Sequence, residues 1–117
     1  SEIYSVVEKF KEVQESIVIG QSWKNDIRII LFIVLNKGYK LNNEIKDKIK
    51  KAIKKNASPR HVPSKIIPVL EIPKTKNGKL VELAVKQTIE GEVIKNLEAL
   101  ANPGSLKQFK NIKELNE

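Results

Sequence analysis

The chain of 117 residues contains no cysteine and no methionine, a single histidine (His61) and only two arginines (Arg28 and Arg60). Each shortage removes a class of chemistry. Without cysteine there is no disulfide framework, thiolate nucleophile or cysteine metal site, and one histidine cannot build a usual zinc shell, so no metal site is expected. Aromatic residues make up 5% of the chain and no basic run interleaves with them. That weighs against nucleic-acid readers, which use arginine for bidentate contacts and aromatics for stacking. No apolar run approaches the ~20 residues of a membrane span, and the first residues lack the basic-then-apolar order of a signal peptide. A cytoplasmic protein without membrane contact is expected. Starting at Ser1 with no methionine, the sequence is also expected to be a piece of a longer protein.

What is present fits one small folded module. Hydrophobic residues at 40% and charged residues at 31% are ordinary for a soluble domain with one modest core. The net charge of +8 and isoelectric point near 9.7 come almost wholly from lysine. Such a balance points to an anionic partner: a phosphorylated cofactor, an acidic protein surface or nucleic acid.

Periodicity then orders the elements. Ile3, Val6, Val7 and Phe10 make the buried stripe of a helix over residues 2–11. Val13 to Gly20 is β-branched and ends at glycine, predicting a strand, with Gln21 to Asp26 a polar connection in which Trp23 anchors the loop by packing. Ile27 to Leu35 is nearly continuously apolar and predicts a central strand covered on both faces. Asn42 or Asn43 caps a second helix running to about Asn56, with Ile45, Ile49, Ala52 and Ile53 inward and six lysines elsewhere. That lysine face reads equally as a solvated surface or an anion-binding one, and a basic nucleic-acid-binding or partner-binding regulatory module is the alternative it supports. His61, between Pro59 and Pro63, reads as a hydrogen-bonded loop residue rather than an acid-base catalyst, since no paired carboxylate stands nearby in sequence. Lys65 to Ile72 predicts a third strand, in which Pro68 implies an edge position or a bulge. A third helix buries Val81, Ala84, Val85 and Ile89 and stops at Gly91. Ser105 is expected to cap a last short helix that turns Leu106, Phe109 and Leu115 inward. The expected fold class is α/β (α+β), in the order α-β-β-α-β-α plus a C-terminal short helix, with a sheet of about three strands covered by helices. Residues 1–91 form the domain and 92–117 an extension packed on it.

One stretch can carry chemistry. Pro73-Lys74-Thr75-Lys76-Asn77-Gly78-Lys79 places a lysine just past an Asn-Gly turn, with Pro73 stiffening the approach. A nucleotide-cradling P-loop is excluded, because Pro73 stands where its first glycine belongs and Leu80 where its Ser or Thr belongs. Two readings fit the residues themselves. Asn77-Gly78 is a plain turn and Lys79 a solvated charge, or Lys79 is a fixed cation that neutralises charge developing on a phosphate or carboxylate oxygen.

The strand, the Pro-Lys-Thr-x-Asn-Gly-Lys loop and the helix that follows resemble the end of the small C-terminal domain of adenylate-forming enzymes, the family of acyl-CoA synthetases, firefly luciferase and peptide-synthetase adenylation domains. Arg60-His61-Val62-Pro63, Asn77-Gly78-Lys79 running into Val81-Glu82-Leu83-Ala84-Val85-Lys86-Gln87, and Ala101-Asn102-Pro103 with Leu106 are similar to the acetoacetyl-CoA synthetase branch. Asn77 in place of the commoner Ser points the same way. The resemblance implies an acid–CoA ligase that uses ATP with Mg2+ to form an acyl-adenylate and then CoA to form a thioester. It implies that Lys79 is the catalytic lysine, that Pro73, Thr75, Asn77 and Gly78 position it, and that Lys54 and Lys55 meet CoA. It implies too that the domain rotates between the two steps, and that its partner is an N-terminal adenylation domain outside this sequence, without which the piece is inactive.

Overall fold

The computed structural model describes residues 2–75, 78–95 and 97–117, with side chains at all of these except 78–80. Helix α1 (Glu2–Val7) leads into strands β1 (Val13–Trp23) and β2 (Asp26–Leu35), followed by helix α2 (Asn43–Asn56), strand β3 (Lys65–Pro68) and helix α3 (Gly78–Ile89). Short 3-10 turns close the chain at Leu97–Ala99, Pro103–Phe109 and Lys113–Asn116. The sheet has the order β1-β2-β3, β1 antiparallel and β3 parallel to the central β2. The α+β class, the three strands and the order of elements are as expected.

Side chains on β2 alternate between two cores, as the pleat requires. Ile30, Phe32 and Val34 face one side with Val81, Ala84 and Val85 of α3 and with Leu106, Phe109 and Leu115 of the tail. Leu31 and Ile33 face the other with Ile3, Val6 and Val7 of α1 and Ile45, Ile49 and Ile53 of α2. A one-residue bulge between Val13 and Glu15 turns the start of β1, so Val13 joins the second core although Ile17 and Ile19 belong to the first.

Four details differ from the sequence reading. Residues 21–26 are no connection: β1 runs to Trp23 and a hairpin turns at Lys24 and Asn25, both at positive φ (49° and 64°). The usual glycine is absent, and asparagine tolerates that region through its short polar side chain. Helix α1 ends at Val7 rather than near 11. Strand β3 ends at Pro68, not Ile72: the Val69 N–H still donates to Ile33 O of β2 at 2.9 Å, but from Leu70 onward the backbone finds its partners in tail side chains rather than in a strand. The last helix is a set of 3-10 turns, and Asn102 with Pro103 behind it, not Ser105, opens the segment Pro103–Phe109. Ser105 is buried and its hydroxyl donates back to Asn102 O at 2.7 Å. Asn42 caps α2, accepting from the Ile45 N–H at 2.9 Å.

Phe109 is fully buried and meets Phe32 edge-on at 4.9 Å between centroids. Phe109→Ala is therefore expected to cost about 3–5 kcal/mol in denaturant unfolding; a loss below about 1 kcal/mol would mean that the tail is not part of the core.

Candidate functional site

Helix α3 begins at Gly78, so Gly78 and Lys79 open a helix rather than finish a loop. The first-turn N–H groups of a helix lack intrahelical partners and carry its positive end, which favours anions beside a first-turn lysine. Of the other loop positions, Pro73 is fully buried and Thr75 half-buried. Asn77 and the side chain of Lys79 lie outside the described residues.

The helix that carries Lys79 is pinned near both ends. Tyr4 of α1 donates its hydroxyl to Glu82 Oε1 at 2.8 Å and accepts the Val18 N–H of β1 at 2.8 Å, joining three elements. Burial and the neighbouring Glu82 carboxylate push the Tyr4 phenol well above the usual tyrosine range, although the Val18 hydrogen bond opposes the shift. It stays a donor. At the far end Lys86 Nζ donates to Gly20 O at 2.6 Å and to Glu90 Oε1 at 3.1 Å, and Glu90 accepts the Ser22 N–H at 3.0 Å. Gly91, at φ 72°, then ends the helix in the left-handed region.

The approach to α3 is held from the tail. Asn102 Oδ1 accepts the Lys74 N–H at 2.7 Å, Ala101 N–H donates to Lys74 O at 2.8 Å, and Gln108 Nε2 donates to Glu71 O at 2.9 Å. The Lys74 ammonium pairs with Glu15 on β1. A second clamp holds the end of the tail. Arg28 donates to Leu115 O at 3.0 Å and Glu117 O at 2.8 Å, and Gln21 donates to Leu115 O at 3.0 Å. The Arg28 guanidinium lies 3.8 Å over the Trp23 ring, so Trp23 packs at a strand end, not in a loop. Tyr4, Gln108 and Arg28 carried no sequence signal of these roles, since their partners lie 78, 37 and 87 residues away.

Lys54 and Lys55 are exposed in the last turn of α2. Their helix covers the face of the sheet opposite α3, so the structure separates them from Lys79 rather than joining the two sets. His61 Nδ1 lies 2.6 Å from Ser58 Oγ, the hydrogen-bonded loop residue anticipated from its surroundings. Among the described residues no group of three or more His, Cys, Asp or Glu could hold a metal ion. None of the described helices is long and apolar enough to cross a membrane.

A mixed sheet with α2 on one face and α3 on the other, and a lysine in the first turn of α3, is the frame of an AMP-binding enzyme C-terminal domain. The chain belongs to that family, which matches residues 2–79. Its similarity extends further along acetoacetyl-CoA synthetases. The acetoacetyl-coenzyme A synthetase of Rhizobium meliloti is 50% identical over 98% of this chain, and that stretch is 18% of the relative's length. The solved acetoacetyl-CoA synthetase of Streptomyces lividans superposes with a TM-score of 0.83 at 34% identity, covering 98% of this chain and 18% of that one. An acyl-CoA synthetase of Brucella canis covers 67% of this chain and 15% of its own, at 28% identity and a TM-score of 0.60. The chain thus spans less than a fifth of the relatives it matches.

Burial alone would raise the Glu90 carboxyl, but the Ser22 and Lys86 hydrogen bonds outweigh it and hold the group below its ordinary 4.5. A depressed folded-state value stabilises the fold above the unfolded value, and that stability is lost as pH falls through the folded one. Acid titration of stability should therefore decline below about pH 4.5, less steeply in Glu90→Gln; an unchanged slope would contradict the role of this clamp.

Proposed function

We propose that this chain is the C-terminal domain of an AMP-forming acid–CoA ligase acting on acetoacetate, and that Lys79 serves its adenylation step. The observation that carries the reading is the extent of the likeness. Family membership accounts for residues 2–79, whereas the match to acetoacetyl-CoA synthetases continues over 98% of the chain, through the Ala101-Asn102-Pro103 tail. In this reading residues 1–91 form the domain proper and 92–117 an extension particular to that branch. The reactants are ATP, CoA and a small carboxylic acid, all supplied in the cytoplasm, and the remaining contacts come from an N-terminal adenylation domain.

The chemistry asked of this chain is electrostatic. A carboxylate and a triphosphate repel each other as they approach, and Mg2+ entering with the ATP offsets part of the phosphate charge. Lys79 supplies a fixed cation between the acid's carboxylate and the α-phosphate. It lowers the repulsion and stabilises charge passing to pyrophosphate as the acyl-adenylate forms. Pro73, Thr75, Asn77 and Gly78 limit the paths by which the chain can deliver it.

The second step, attack of the CoA thiol on the acyl carbon with release of AMP, has no use for that lysine. Lys54 and Lys55 on the opposite face suit the 3′-phosphate of CoA as exposed point charges, an attraction that salt weakens. Residues on opposite faces of one sheet cannot serve a single cleft together. Rotation of the domain as a body between steps resolves this.

In the full-length ligase, Lys79→Ala is expected to lower acid-dependent ATP–pyrophosphate exchange by about 100-fold or more, while thioester formation from preformed acyl-adenylate stays within about threefold. Equal loss of both half-reactions would refute the role of Lys79.

A further inference from the structure

Leu70 to Thr75 runs from the end of β3 to the loop before α3, and it is not a strand. Its backbone groups must still find partners, because Ile72 and Pro73 are buried. The partners come from the tail. Gln108 Oε1 accepts the N–H of Leu70 and, at 3.3 Å, that of Glu71, while Gln108 Nε2 donates to Glu71 O at 2.9 Å. Asn102 Oδ1 accepts the Lys74 N–H at 2.7 Å, and Asn102 Nδ2 donates to Ile72 O at 3.3 Å. Ala101 N–H donates to Lys74 O at 2.8 Å.

A side-chain carboxamide presents the same acceptor and donor as a peptide group. Asn102 and Gln108 therefore act as stand-ins for a neighbouring strand, bonding to both N–H and C=O groups of the segment. Asn102 is itself fixed at the entry to the Pro103–Phe109 turn, and Gln108 Nε2 also donates to Ser105 O at 3.1 Å. The tail's own position comes from Leu106 and Phe109 in the core. Only Thr75, Lys76 and Asn77 separate the anchored Lys74 from α3 in the chain, so the position of Lys74 bounds where the first turn can begin.

We propose that Asn102 and Gln108 are positioning residues for adenylation: they fix the path of Leu70–Lys74 and so place Lys79. This inference rests on the adenylation role of Lys79. It requires that their loss affect the step that uses Lys79 and spare the step that does not.

The test uses the full-length ligase. Asn102→Ala is expected to lower kcat for acid-dependent ATP–pyrophosphate exchange by roughly 10- to 100-fold, the scale of an ångström-level misplacement. The KM for ATP and thioester formation from preformed acyl-adenylate should each stay within about twofold. Gln108→Ala should act in the same direction, and Gln108→Glu, which keeps the acceptor for Leu70 and Glu71 but turns a carboxylate oxygen toward the Glu71 and Ser105 carbonyls, should recover little of the loss. If Asn102→Ala does not fold, the Gln108 pair carries the test. Unchanged exchange in folded variants overturns the proposal, as does a parallel fall of both half-reactions, which marks a purely structural role. Lys79→Ala in the same assays separates the two ideas. Exchange abolished by Lys79→Ala but untouched by Asn102→Ala defeats the positioning role alone, and exchange that survives Lys79→Ala defeats the reading beneath it and this inference with it.

Discussion

A strand that buries both faces needs a cover on each, and β2 imposes that requirement on the whole chain. Ile30, Leu31, Phe32 and Ile33 are all fully buried. Each such side chain contributes about 1.5–3 kcal/mol when removed from water, so leaving either face open would cost a large part of the stability of so small a domain. Helices α1 and α2 close one side. Helix α3 alone is too narrow to close the other, and Leu100, Leu106, Phe109 and Leu115 complete it. The tail is thus part of the sheet's cover as well as the source of the polar contacts that hold the segment before α3.

This construction gives the domain two chemically different sides. One carries α3, pinned by Tyr4 and by the Lys86–Glu90 pair, with a lysine in its first turn. The other carries α2, whose inward isoleucines leave lysines on the remaining surface. The sheet separates them rigidly, so presenting one side or the other requires moving the domain rather than repacking it. The proposed function, a two-step ligation drawing on a different cation at each step, is one that such a body would serve.

The apolar skeleton was largely legible in the sequence, because burial on β2, α2 and α3 leaves unmixed periodic stripes. Asn42 and Gly91 marked helix boundaries through local chemistry: a capping side chain and a left-handed residue. The hairpin was hidden because Lys24 and Asn25 carry no glycine signal. Ser105 looked like a cap, but Asn102 before Pro103 takes that place and the serine turns inward. Lys79 was recognisable as a motif. The residues that hold its surroundings were not, since Tyr4, Asn102 and Gln108 act on partners 28 to 78 positions away, and no local pattern encodes such a contact.

Amide hydrogen exchange in the intact protein tests most directly whether the tail and the approach to Lys79 form one unit. The Leu70 and Lys74 amides, though outside any strand, should be protected and should open with the same free energy as the Ser105 amide, which donates to Asn102 O at 3.0 Å. Exchange of Leu70 and Lys74 at the rate of an open peptide, with the tail amides still protected, would contradict the account.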